Sequence, residues 1–158
     1  ISKYKTPEEF IHSPENIFKS LGLIWRYKIF INLCSHLINL KHIPDSREEL
    51  LRLPGVGTYV ASAFRSLHSE QRDFIIDSNI VRLYGRYFGF ETDGETRRKK
   101  WFIELADRLT PAKKFKEYNY GLLDFTRQIC KNKPDCAHCL LIAKCYYPRF
   151  HKQNINNL

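Results

Sequence analysis

Residues 46–77 read SREELLRLPGVGTYVASAFRSLHSEQRDFIID. Ser46, followed three positions later by Glu49, makes a capping box that starts a short helix through Arg52. Proline and two glycines in Leu53-Pro54-Gly55-Val56-Gly57 end that helix. Thr58 then caps a second one, with Val60, Ala61, Phe64 and Leu67 turned inward. Such a turn leaves backbone N–H groups unpaired at Gly55, Gly57 and the residues that follow. With the helix N-terminus behind them, they suit a phosphate oxygen. Glycine allows close approach and the positive φ that the turn is expected to need. The same pattern also serves as an ordinary helix–helix connection, and the turn alone does not choose. Twenty residues past Gly57 stands Asp77, the first of three capping residues, Asp77-Ser78-Asn79.

Outward from this stretch the grammar stays helical. Thr6-Pro7-Glu8-Glu9 is an N-cap followed by proline at the first helical position, and Ser13-Pro14-Glu15 repeats it. Residues 24–40 form a longer helix whose buried stripe is Phe30, Leu33, Cys34, Leu37 and Ile38. Cys34 on that stripe is core. Ile80, Leu83, Tyr84, Tyr87 and Phe88 form the apolar face of the helix after Asp77. Further helices are expected near 95–109 and 114–129, and the polar tail His151–Leu158 is expected to be poorly ordered. No convincing alternating strand, repeat or glycine-rich linker occurs. The fold class is all-α.

The chain has 158 residues, 43% of them apolar, enough for one domain or two small lobes. Its net charge of +9 and 14% aromatic content suit a polyanionic partner. No apolar run is long enough to span a membrane. Four of the five cysteines crowd into Cys130-x5-Cys136-x2-Cys139-x5-Cys145. Without a secretory signal, that crowding argues for metal in a reducing cytosol or nucleus rather than for disulfides. Four thiolates enclose either tetrahedral zinc or a [4Fe–4S] cube. Zinc sites favour two close pairs; this loop has one, Cys136 with Cys139, and leans towards iron–sulfur.

With turn, carboxylate and cysteine loop in this order, the chain resembles the helix-hairpin-helix DNA glycosylases of the endonuclease III superfamily. The match lies in LPGVGTYVASAF, IIDSNIVRLYGRYFG, YNYGLLDFTRQIC and the four cysteines. The resemblance implies two helical lobes, here residues 1–73 with the hairpin and 74–158 with the cluster, and DNA bound in the cleft between them. It implies that Leu53, Pro54, Gly55, Val56, Gly57, Thr58 and Arg82 contact DNA. It also implies that Asp77 is catalytic and that Cys130, Cys136, Cys139 and Cys145 hold a [4Fe–4S] cluster, with zinc the alternative. Taken without the family, Asp77 reads as an N-cap. Arg82 and Arg86 lie one turn apart and, like the run Arg97–Lys100, are candidates for phosphate contact or for solvated surface. Asn119 is expected to make structural hydrogen bonds.

The position two after the last hairpin glycine sorts the family. Enzymes that also cut the backbone carry lysine there, and adenine glycosylases acting opposite oxidised guanine usually carry serine. Here it is Tyr59, as in thymine glycosylases that repair G·T mismatches, and the resemblance makes Tyr59 a candidate catalytic residue beside Asp77. A phenol cannot form the Schiff base that lyase chemistry needs. The expectation is therefore a monomeric, monofunctional enzyme acting on double-stranded DNA, removing thymine or uracil opposite guanine. Adenine removal opposite oxidised guanine, or a non-catalytic DNA-binding role, is the alternative. Two departures stand out. Five residues separate the first two cysteines where the family usually has six. The resemblance also begins downstream of the family's first helices, so a fragment or a natural minimal form is expected.

Overall fold

The computed structural model describes residues 4–40 and 42–148; Arg149 and the polar tail lie outside the described residues. Among the described residues the ordered elements are α-helices and short 3-10 turns, with no strand. The chain divides into two compact units, Ile1–Ala61 and Ser62–Leu158.

In the first unit, α1 (Pro7–Ile11) starts where Thr6 accepts from the N–H of Glu9 at 3.3 Å. The second proline departs from expectation. In α2 (Glu15–Ser20) the cap position is Pro14, because the Ile17 N–H closes onto the Pro14 carbonyl. Ser13 is buried instead, and its carbonyl accepts from the Tyr27 hydroxyl. The expected helix 24–40 is a 3-10 turn at Ile24–Arg26 followed by α3 (Tyr27–Ile38). Cys34 is buried, while Ile38, on the last turn, is exposed. Rings from all three helices lock together: Phe18 lies 5.8 Å from Phe10, 5.1 Å from Tyr27 and 5.7 Å from Phe30. The first two contacts are edge-on and the third tilted, and ring pairs at these distances add to the area they bury.

The capping box is present at α4 (Arg47–Arg52): the Glu49 N–H donates to Ser46 Oγ at 3.2 Å, and that hydroxyl donates to Glu49 Oε2 at 2.7 Å. Leu50 anchors α4, being almost wholly buried. Leu53 leaves the helix in an extended conformation, and the Val56 N–H closes the turn onto the Leu53 carbonyl. The next helix, α5, runs Thr58–Leu67, and the Ala61 N–H bonds the Gly57 carbonyl. Gly57 therefore holds the cap position and Thr58 opens the helix, one residue off the expectation. Val60 is exposed, not inward.

The second unit is built around Ile75, Ile80, Leu83, Phe102 and Ala106. Its elements are the end of α5, a connector, α6 (Ser78–Phe88), α7 (Lys100–Leu109) and α8 (Phe115–Gln128). The N-terminal part of the expected 95–109 helix is a separate 3-10 turn, Thr96–Arg98. On α6, Ile80, Leu83 and Tyr84 face inward as expected; Tyr87 is only half-buried and Phe88 is exposed. Three of the four cations in the Arg97–Lys100 run have carboxylate partners: Arg98 with Glu95, Lys99 with Asp93 and Lys100 with Glu104. Hydrogen bonds from Lys99 and Thr96 hold the Asp93 carboxyl down to about 2. Among the described residues no helix is long and apolar enough to cross a membrane.

Candidate active site

Asp77 is the N-cap of α6. Its backbone is extended, and Oδ1 accepts from the Ile80 N–H at 2.8 Å. Its other oxygen, Oδ2, accepts from the side-chain amide of Asn79 at 2.9 Å. Each carboxylate oxygen keeps lone-pair capacity for a further donor such as water. The residue is half-buried and lines an open pocket of about 420 Å³ with Asn79, Arg82, Asp124, Arg127 and Lys131. That volume falls in the range of small-molecule sites.

Arg82 lines this pocket, and its guanidinium is heavily engaged within the protein. It donates to the carbonyls of Cys130 (2.9 and 3.1 Å) and Thr126 (3.2 Å), and to the side chains of Asn79 (2.9 Å) and Asn132 (3.1 Å). Arg86, one turn on, donates to the carbonyls of Lys131 (2.6 Å) and Asn132 (2.9 Å) and to Cys130 Sγ (3.6 Å). It also lies 4.8 Å from the Tyr147 ring centre, a cation–π contact. The two arginines tie α6 to the start of the cysteine loop. Asn79 was legible only as a cap although its partners, Asp77 and Arg82, are two and three residues away; Asn132 was not legible at all, because its partners Arg82 and Arg86 lie 50 and 46 residues away.

Cys130, Cys136, Cys139 and Cys145 all line one cavity, walled by Leu83, Phe125 and other apolar side chains. Cys130 is buried and the other three are half-buried. Burial pushes the Cys136 thiol up, and the neighbouring Cys139 and Cys130 add to the effect. Burial likewise raises Cys145. Among the described residues no group of three or more His, Cys, Asp or Glu side chains is close enough to hold a single ion. Four cysteines lining one apolar-walled cavity, with Arg86 donating to Cys130 Sγ, are by their chemistry a donor set that a multinuclear cluster can use. Lys131, Lys133 and Lys144 are exposed around them.

The hairpin belongs to the first unit. Gly55 has φ +75°, as its turn requires, and a Cβ there would run into Ile29 Cγ2. Gly57 has neither constraint: its φ is not positive and a Cβ would meet nothing within 4 Å. Tyr59, on the first turn of α5, is 42% exposed. Leu53, Pro54 and Val56 are partly buried, whereas Gly55, Gly57 and Thr58 lie open.

These features define an all-α protein with a helix-hairpin-helix and a capped carboxylate on the helix after it. The model of the helix-hairpin-helix motif matches residues 40–67. The chain is 33% identical to the thymine/uracil-DNA glycosylase of Methanothermobacter thermautotrophicus, with 92% of this chain and 69% of that protein covered. It is 32% identical to the thymine-DNA glycosylase of Aeropyrum pernix, covering 93% of this chain and 71% of that one. A solved thermostable thymine-DNA glycosylase superposes with a TM-score of 0.82 at 33% identity, over 94% of this chain and 72% of that one. The chain belongs to the helix-hairpin-helix DNA glycosylases of the endonuclease III superfamily.

Proposed function

We propose that the protein removes thymine or uracil mispaired with guanine in double-stranded DNA, hydrolysing the N-glycosidic bond and leaving the strand uncut. The observation that carries this is the Asp77 carboxylate, held by Ile80 and Asn79 in the lining of an open pocket. The names of the two relatives, at 32 and 33% identity, favour thymine and uracil.

A base inside a duplex must leave the stack before it can be attacked, and a mispaired base leaves at lower cost. The net charge of +9 draws the protein to the phosphate backbone. Gly55, Gly57 and Thr58 are exposed, and backbone N–H groups at such a turn and helix start can donate to one phosphate. Cleavage of the C1′–N bond builds positive charge on the sugar. Asp77 faces that charge and takes a proton from, or orients, the attacking water. The bonds from Ile80 and Asn79 fix the carboxylate beforehand, so it need not reorganise during the reaction. Tyr59 has no amine to trap the opened sugar, so the product keeps an abasic site. Cys130, Cys136, Cys139 and Cys145 would hold the [4Fe–4S] cluster, which when bound cross-links the loop that Arg82 and Arg86 grip.

The test is a panel of duplexes bearing T or U opposite G, A opposite oxidised guanine, and oxidised pyrimidines, each treated with alkali after incubation. Cleavage of the G·T and G·U duplexes, dependent on alkali, is the expected result. Activity on adenine alone would move the protein to the adenine glycosylases. Strand cleavage without alkali would remove the monofunctional reading. Binding without release of any base would leave a DNA-binding module.

A further inference from the structure

A buried polar knot sits four residues upstream of Asp77, on the connector that delivers the chain to α6. Asn119 on α8 is fully buried, and its Nδ2 donates both to Ser66 Oγ on α5 and to the Asp73 carbonyl at 2.9 Å. Asp73 is itself buried. One of its oxygens accepts from Arg65 Nε at 2.8 Å and the other from the Phe74 N–H at 2.8 Å. Two residues on, Ile75 is buried in the core. The connector is thus pinned from α5 and from α8 just before it opens into the extended residue Asp77.

Asn119 is an uneconomical residue for this place if packing were its only duty. Its Oδ1 is buried without a hydrogen-bond partner among the described residues. An unpaired buried acceptor weakens the folded state. Leucine has nearly the same branched shape and would fill the site without that penalty. What leucine lacks is the donor that fixes the Asp73 carbonyl. Misplacement of a catalytic group by an ångström is enough to slow a reaction about 100-fold. We infer that Asn119 is a positioning residue: through the Asp73 carbonyl it fixes the approach to α6 and so the setting of the Asp77 carboxylate. The inference rests on Asp77 being the catalytic carboxylate of a glycosylase.

The test compares wild type, Asn119→Leu and Ser66→Ala on a G·U duplex, with enzyme in saturating excess. The rate of base release is divided by the folded fraction read from circular dichroism. Affinity is measured separately on a duplex carrying a non-cleavable uracil analogue. In Asn119→Leu the rate per folded molecule is expected to fall between about 10- and 100-fold with affinity unchanged. Ser66→Ala leaves the bond to the connector in place and should retain a rate within about twofold. Should Asn119→Leu not fold, Asn119→Ala is read the same way. A rate per folded molecule equal to wild type, or an equal loss in Ser66→Ala, would overturn the inference while leaving the glycosylase reading intact. No base release by wild type from any duplex would remove that reading, and the inference with it.

Discussion

The side chain of Asn79 donates to Oδ2 of Asp77 at 2.9 Å while its own oxygen accepts from Arg82 at 2.9 Å. The capping carboxylate is therefore held on one oxygen by backbone and on the other by an amide whose orientation the arginine sets. This separates two duties that both fall on Asp77, helix capping and chemistry.

Asp77→Asn tests that separation. Asparagine keeps the cap on the Ile80 N–H but sets its own amide against the Asn79 donor, so the protein should still fold with a modestly lower thermal midpoint. Without the carboxylate, base release should fall by about 100-fold or more. Duplex affinity, measured by fluorescence anisotropy, should be retained or improved. A variant as active as wild type would return Asp77 to a purely structural cap.

The two hairpin glycines should respond differently to alanine. Gly55→Ala places a Cβ on Ile29 and a side chain at φ +75°. It should cost at least about 1–2 kcal/mol of stability in denaturant unfolding. Gly57→Ala meets no neighbour within 4 Å and should leave stability almost unchanged. Its methyl group would stand where a phosphate approaches the amides, so DNA affinity should drop. Equal affinity in Gly57→Ala and wild type would argue for an ordinary helix connection.

Residues joined by local grammar were legible in the sequence. The Ser46–Glu49 box, the Thr6 and Asp77 caps and the buried Cys34 follow from spacings of a few residues. The edges of apolar stripes were less legible. Val60, Ile38 and Phe88 fit the helical period yet are exposed, because period gives a face but not whether anything packs on it. Least legible were the arginines. Arg82 and Arg86 read as a basic pair one turn apart. Their partners Thr126, Cys130, Lys131 and Asn132 lie 44 to 50 residues away, beyond any local pattern.

The proposal that the four cysteines lining one cavity hold a [4Fe–4S] cluster is open to direct test. Protein purified without oxygen should be brown, with broad visible absorption and about four irons per chain. Cys136→Ser removes one of the four sulfurs lining the cavity and should lose the colour and lower the thermal midpoint. Zinc in place of iron, at one equivalent per chain, would overturn the cluster assignment.

The last prediction concerns Tyr59, whose ring is 42% exposed on the first turn of α5. An exposed position tolerates a long polar side chain, so Tyr59→Lys should fold normally. Its amine can attack C1′ of the ring-opened abasic sugar, expelling water to form an imine, from which elimination breaks the C3′–O bond. The variant should cut an abasic duplex without alkali, and borohydride should trap it covalently on the DNA. Wild type should do neither. If Tyr59→Lys folds, binds abasic DNA and still gives no trapped adduct, then residue 59 does not stand beside the sugar, and the assignment of a monofunctional enzyme loses its physical basis.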